Sequence, residues 1–323
     1  MKDILYAHIP SLDLSDFTSV DLQRKSDFVE SLGRAYSHIG FAAIKNHGLT
    51  DELTSNLYHA VKQFFTLPEK EKLKYEIPGI AGQRGYTGKG KENARGRSTG
   101  DLKEFYHIGQ ELAAGEPEKE EYPENVWPVE LPELKMYGLE VYRTLENAGK
   151  HILQAIALYL GLDETYFDDK IENGNSILRP IHYFPVENPD ALPHDAVRAA
   201  EHGDINLITL LMGASAEGLQ VKRKDGKWIP ITALAEQIVV NVGDMMERLT
   251  NNWLRSTIHR VVNPPREKMD TSRYSIPFFM HPRSEIDLNC LENCIDASHP
   301  KAYSDITAGE FLIERLREIG LQK

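Results

Sequence analysis

The sequence predicts a mainly β fold, an antiparallel double-sheet sandwich or jelly roll, buttressed by a helical N-terminal part. Two observations predict it. Beyond residue 177 the chain breaks into short runs rich in β-branched and aromatic residues, at 177–184, 205–212, 218–222, 238–242, 257–262 and 274–279. Strands of this length and spacing, separated by turns, build sandwiches and jelly rolls. Before residue 177, by contrast, apolar residues recur mostly at helical spacing.

Residues 9–14 (Ile-Pro-Ser-Leu-Asp-Leu) read as a short strand. Residues 21–37 carry Leu22, Phe28, Leu32 and Tyr36 on one helical face, and Gly40 ends that helix. Phe41-Ala42-Ala43-Ile44 reads as a buried strand turning at Asn46-His47-Gly48. A second amphipathic helix spans 51–66, and a third starts at 67–71. The 79–100 stretch is rich in Gly, Lys and Arg, which pack no core, so it reads as a long loop, either a lid or a surface excursion. The longest helical pattern covers 131–160 and closes at Gly161; a last amphipathic helix covers 307–319. No linker composition separates independent domains. The expected segments are an N-terminal region (1–120), a helical support (121–176), a jelly-roll core (177–285) and a C-terminal helical extension (286–323).

The chain has 323 residues, with 37 basic against 49 acidic side chains, for a net charge of −12. Its isoelectric point near 5.5 argues against nucleic-acid or anionic-membrane partners. Two cysteines, Cys290 and Cys294, exclude a disulfide framework and read as reduced thiols. Asp3 stands where a signal peptide would want positive charge, and no apolar stretch approaches the roughly 18 residues that span a bilayer. The expectation is a cytoplasmic protein acting on a small molecule; the oligomeric state is left open.

The informative constellation is His202-Gly203-Asp204, followed by His259 and then Arg273-Tyr274-Ser275. If His202 and Asp204 lie on a strand, period two puts both on one face. With one distant histidine, they make two imidazoles and one carboxylate on one side of a metal, the set that suits non-haem Fe(II) and leaves positions open for dioxygen. His-x-Asp alone is more often a surface pair, and a lone histidine in an apolar strand such as 256–262 is more often a satisfied core residue. Arg273 and Ser275 likewise share a strand face; a guanidinium fork with a hydroxyl fits a carboxylate, with an internal salt bridge as the competing reading. It is the order of the three elements that favours the metal.

The full set of motifs resembles a known family. Ile9-Pro10-Ser11-Leu12-Asp13, Gly40-Phe41, Asn46-His47-Gly48, residues 64–72, Gly85-Tyr86 and Asp101-Leu102-Lys103-Glu104-Phe105 carry the N-terminal part. His202-Gly203-Asp204, Thr209-Leu210-Leu211, Gly218-Leu219-Gln220-Val221, Asn241-Val242-Gly243-Asp244, His259-Arg260-Val261 and Arg273-Tyr274-Ser275 carry the rest. In these, over nearly its whole length, the chain resembles the isopenicillin N synthase-like Fe(II)/2-oxoglutarate-dependent dioxygenases. The resemblance implies a double-stranded β-helix, a distorted jelly roll, between an N-terminal α/β region and a C-terminal helix. It implies catalytic iron on His202, Asp204 and His259, and Arg273 and Ser275 on the distal carboxylate of 2-oxoglutarate. Tyr183 would contact the cosubstrate, and Tyr183 and Phe184 would line the pocket. Many relatives read Asn-Tyr-Tyr-Pro where this chain has His182-Tyr183-Phe184-Pro185, which leaves the tyrosine contact open.

The implied reaction is oxidation, with hydroxylation expected, of a small carboxylate-bearing molecule. It consumes O2 and 2-oxoglutarate and releases succinate and CO2, with ascorbate as a candidate reductant. Asp204 argues against halogenation, because halogenating relatives lack that carboxylate. Tyr86, Arg84, Arg95, His182 and Phe184 are the nominated substrate contacts, the arginines as cations of the 79–100 loop that also holds Arg97. One rival is a 2-oxoglutarate-independent Fe(II) oxidase of the same fold, or an ethylene-forming or oxo-acid oxidase, with Arg273 on the substrate. A zinc hydrolase would want H-E-x-x-H, which is missing. A non-enzymatic binder with a degenerate site conflicts with the intact ligand set.

Overall fold

A computed structural model describes residues 5–91, 103–186, 198–213, 218–231, 234 and 236–321. The N-terminal part runs β1 (Ser11–Asp13), α1 (Leu14–Phe17), α2 (Leu22–His38), β2 (Phe41–Lys45), α3 (Asp51–Thr66) and α4 (Glu69–Lys72). Asp21 caps α2 through Gln23 and Arg24 amides, and Thr50 caps α3 through Leu53, so each helix starts where a side-chain acceptor meets its orphan N–H groups. Two strands follow that residue patterning did not predict, β3 (Gly85–Thr87) and β4 (Lys103–Gly109). β4 is buried on both faces and mixes charged with apolar residues, so it shows neither alternation nor an apolar run. β3 lies inside the stretch expected to be loop; residues 92–102 fall outside the described residues.

The long helix α5 (Pro132–Tyr159) and short α6 (Asp168–Ile171) lead into the β region. That region contains β5 (Ile177–Leu178), β6 (Ile181–Tyr183), β7 (Ala199–His202), β8 (Ile208–Met212), β9 (Leu219–Lys222), β10 (Trp228–Pro230) and β11 (Gln237–Val242). A helix that patterning missed, α7 (Asp244–Leu249), precedes β12 (His259–Val261), β13 (Arg273–Ser275) and β14 (Pro277–Met280). The chain ends in α8 (Ala308–Glu318), where Thr307 and Glu310 form a reciprocal capping box.

Among the described residues the strands form two sheets. The larger runs β1-β2-β11-β8-β14-β5-β4-β6-β13 with β3 beside β4; the smaller runs β10-β9-β12-β7. The mostly β architecture with flanking helices is that of a distorted jelly roll. One wall positions the site. The chain through β5 and β6 lies between β4 and the chain through β13 and β14, antiparallel to both. Alternation then divides its side chains. Ile108, Leu178, Leu210, Phe278 and Met280 enter the core beneath α5, each apolar side chain contributing about 1.5–3 kcal/mol by burial. The Tyr142 ring of α5 meets Phe278 edge-on at 4.9 Å. Close approach there needs Gly149, whose added Cβ would sit 2.5 Å from Met280 Sδ. Lys103, His107, Ile177, Arg179, Tyr183, Arg273, Ser275 and Phe279 face the other way, into a cavity of about 380 Å³.

The expected strand through 205–212 is interrupted. His202 ends β7 in the small sheet, β8 begins at Ile208 in the large one, and residues 203–207 cross between the sheets. His202 and Asp204 are therefore brought together by a turn and not by strand alternation. Gly243 fastens that turn, since a Cβ there would lie 2.1 Å from the Asn206 carbonyl. Likewise 274–279 is two strands, broken at Ile276, because β13 pairs with β6 and β14 with β5 and β8.

Candidate functional site

His202 and His259 are directly opposed partners of β7 and β12, and their ring centroids stand 4.4 Å apart. His202 Nδ1 lies 2.7 Å from the Ala200 carbonyl and His259 Nδ1 3.1 Å from the Thr257 carbonyl. A carbonyl only accepts, so each Nδ1 donates and each Nε2 is left to Asp204 Oδ1, at 3.9 and 3.7 Å. The three ligand atoms lie within 4.8 Å of one another, close enough for a single ion to bridge.

The carboxylate is held as firmly as the imidazoles. Asp204 Oδ2 accepts from Thr209 Oγ1 at 2.6 Å and from Asn241 Nδ2 at 2.8 Å, which frees Oδ1 for a metal. Burial pushes Asp204 upward, but His259, His202 and these hydrogen bonds more than offset it, so it ionises below the usual carboxylate range. Burial, with the His259 imidazole, pushes His202 down to about 4, although 45 % of its side chain is solvent-accessible. The set present at neutral pH is thus one neutral imidazole from His202 and one carboxylate, beside His259 with its Nε2 turned inward. These are donors ready for a divalent cation with no proton to displace from Asp204 or His202.

Thr209 and Asn241 were legible only as motif letters, with no role attached. Thr209→Val is expected to lower Fe(II) affinity about 10–100-fold, as loss of outer partners does, while Thr209→Ser keeps it; anaerobic Fe(II) titration reads both.

Arg273 and Ser275 line the same cavity as the three ligands. Arg273 pairs across the sheet with Tyr183, its guanidinium 4.9 Å over the Tyr183 ring. His182, Phe184 and Tyr86 do not line the cavity. With Tyr183 pointing in, strand alternation turns its neighbours outward. His182 donates Nδ1 to Glu104 at 2.8 Å, meets Ser272 Oγ with Nε2, and stacks on Tyr274 at 4.9 Å. Phe184 packs on His182. Tyr86 donates to Glu104 at 2.6 Å, as does Lys72 at 2.6 Å. Arg84 is fully buried, away from the cavity, with its guanidinium over Gly109. Arg95 lies outside the described residues. Sequence reading missed Arg179, His281 and the cavity wall of α8 (Leu312, Arg315, Leu316).

The Glu104 cluster backs the strand that carries Arg273. Burial pushes Glu104 upward, but His182, Lys72 and Tyr86 outweigh it and lower its pKa. A lowered carboxylate stabilises fully above the unfolded value of about 4.3 and loses that contribution as pH falls through the folded value. Glu104→Gln should therefore cost about 3–5 kcal/mol at neutral pH, by stranding the buried Lys72. The gap to wild type should narrow on acidification; chemical denaturation at several pH values measures it.

A jelly roll whose cavity is lined by a His-Asp-His cluster defines the non-haem iron oxygenase class. The comparisons agree with it. Residues 9–130 match the family described as non-haem dioxygenase in morphine synthesis N-terminal, and residues 174–282 match the 2OG-Fe(II) oxygenase superfamily. The chain is 31 % identical to the 2-oxoglutarate-Fe(II) type oxidoreductase hxnY of Emericella nidulans, over 94 % of this chain and 88 % of that one. It is 32 % identical to the proline hydroxylase buaE of Petromyces alliaceus, over 95 % and 98 %. Among solved structures, a putative 2OG-Fe(II) oxygenase family protein from Caulobacter crescentus superposes with a TM-score of 0.85 at 42 % identity, covering 96 % of this chain and 99 % of the other. A full-length Neurospora crassa protein solved in complex with alpha-KG gives 0.83 at 32 %, covering 96 % of each. The chain belongs to the 2OG-Fe(II) oxygenase superfamily. It is an oxidoreductase that uses Fe(II), 2-oxoglutarate and O2. No described helix is long and apolar enough to cross a membrane.

Proposed function

We propose that this oxygenase hydroxylates a small, carboxylate-bearing molecule, with iron held by His202, Asp204 and His259 and the distal carboxylate of 2-oxoglutarate held by Arg273 and Ser275. One observation carries the assignment: the three ligands and the Arg273–Ser275 face line a single cavity. The donor set fits ferrous iron, having two imidazoles, one carboxylate and no thiolate. When bound, Fe(II) supplies oxygen activation coupled to decarboxylation of 2-oxoglutarate to succinate and CO2.

The residues of the chain supply placement and charge. Arg273 offers a planar fork and Ser275 a hydroxyl to one end of the cosubstrate. Tyr183 holds the guanidinium from below by its ring face. Thr209 and Asn241 hold the Asp204 carboxylate in one orientation through Oδ2, so Oδ1 is the oxygen that would bind the metal. Phe279, Ile177 and Leu312 give the cavity apolar walls that exclude water from the reacting C–H bond. The two cysteines are free and buried, which supports a reducing, cytoplasmic setting.

Reaction under ¹⁸O2 tests the assignment. Substrate-stimulated succinate with one ¹⁸O in the product supports hydroxylation; a product that loses two hydrogens without ¹⁸O makes it a desaturase. Oxidised product without succinate would move Arg273 to the substrate.

A further inference from the structure

The cavity wall opposite the metal is a grid whose rows can be read from register. Tyr183, on the central strand, pairs with Arg273 and Lys103 at one end. Ile177 pairs with Phe279 and Gly109 at the other. Arg179 stands between, four residues before Tyr183, roughly 13 Å along the strand. A second cationic position therefore faces the cavity, away from the end assigned to 2-oxoglutarate.

Its surroundings are built. Arg179 Nε donates to His107 Nε2 at 2.5 Å, and its guanidinium lies over the rings of Phe105 (4.5 Å) and Phe279 (5.1 Å). His281, two residues beyond Phe279 and just past the end of β14, is 6 % exposed and lines the cavity, and its Nδ1 has no hydrogen-bond partner. The Phe279 row reaches the candidate ligand Asp204, because Phe279 pairs with Thr209, whose hydroxyl donates to that carboxylate. Acidic lining residues lie elsewhere: Glu201, Asp204, Asp244 and Glu318 come from β7, the turn, α7 and α8. Among the described lining residues the grid wall carries Lys103, Arg179 and Arg273 and no carboxylate, while Arg315 stands with Glu318 on α8.

We propose that Arg179, with His107 and His281 beside it, is the specificity-determining anchor for the prime substrate and takes its carboxylate, leaving an apolar remainder against Phe279, Ile177 and Leu312. This rests on the iron and 2-oxoglutarate reading above. Two ring contacts and the His107 hydrogen bond hold the guanidinium in place, and its planar fork suits a carboxylate. The buried His281 Nδ1 supplies a further polar contact to the same group, and an anion left without it would be poorly satisfied.

The test is anaerobic calorimetric titration of the Fe(II)- and 2-oxoglutarate-loaded protein. The probes are butyrate, hexanoate, phenylacetate and cinnamate, each beside its primary amide, with thymine as a neutral planar ring. Expected is at least one acid binding about tenfold or more tighter than its amide, as charged hydrogen bonds imply. Arg179→Gln should erase that preference and Arg179→Lys restore part of it, with 2-oxoglutarate affinity in both within about threefold of wild type. Should Arg179→Gln fail to fold, His281→Leu and Arg179→Lys carry the comparison, each weakening the acid and not the amide. Equal binding of acid and amide, preference for thymine, no binding by any acid, or loss of 2-oxoglutarate affinity in place of acid affinity would each overturn the proposal. Failure of the underlying reading is visible separately, since 2-oxoglutarate itself would then not titrate.

Discussion

His259→Ala is expected to abolish Fe(II) binding at micromolar metal and to reduce turnover on the order of 10³-fold or more. Loss of an outer hydrogen bond to a ligand already costs about 10–100-fold, and removing a ligand removes a bond to the ion itself. The remaining pair, His202 and Asp204, would hold the ion from one turn and one strand end only. The fold should survive, because β12 pairs with β9 and β7 through its backbone, and the lost ring faces the cavity and packs against Phe41 at 5.5 Å. Anaerobic Fe(II) titration with thermal unfolding separates the two effects. Tight iron binding by the folded variant would show that the three-ligand assignment is wrong.

Arg273→Gln is expected to raise the KM for 2-oxoglutarate about 30–150-fold, with a smaller fall in kcat at saturation. Hydrogen bonds to a charged group contribute about 2–3 kcal/mol, and every 1.4 kcal/mol is tenfold. Arg273→Lys should recover only part, since an ammonium is a point charge without the fork. Iron affinity should hold in both, because Arg273 lies on β13, in the other sheet from the ligand strands β7 and β12. An unchanged KM would place the cosubstrate carboxylate elsewhere in the cavity.

Much of this was legible in the sequence because local rules coincide with tertiary ones at these positions. The α2, α3 and α8 helices follow their apolar faces and side-chain caps, α5 follows its apolar face, and Arg273 and Ser275 share a face as period two requires. Three features were not legible, for physical reasons. The His202–Asp204 proximity comes from a crossing between sheets, fixed by Gly243 against Asn206, and a pattern within ten residues cannot show it. β4 carries Lys103, Glu104 and His107 in a buried strand, where neither alternation nor an apolar run marked one; each finds its environment only in the folded sheet. His182 looked like a pocket residue because it adjoins Tyr183, yet the alternation that turns Tyr183 inward turns His182 out toward Glu104. Arg179 was passed over because a single arginine before a proline carries no signal until register places it opposite the metal.

The most direct test of the central claim adds 2-oxoglutarate to the Fe(II)-loaded protein in the absence of oxygen and follows visible absorption. The single cavity shared by His202, Asp204, His259 and Arg273 predicts a weak charge-transfer band that saturates stoichiometrically, is lost in His259→Ala and needs far more cosubstrate in Arg273→Gln. Bound iron with no band at any 2-oxoglutarate concentration would contradict it.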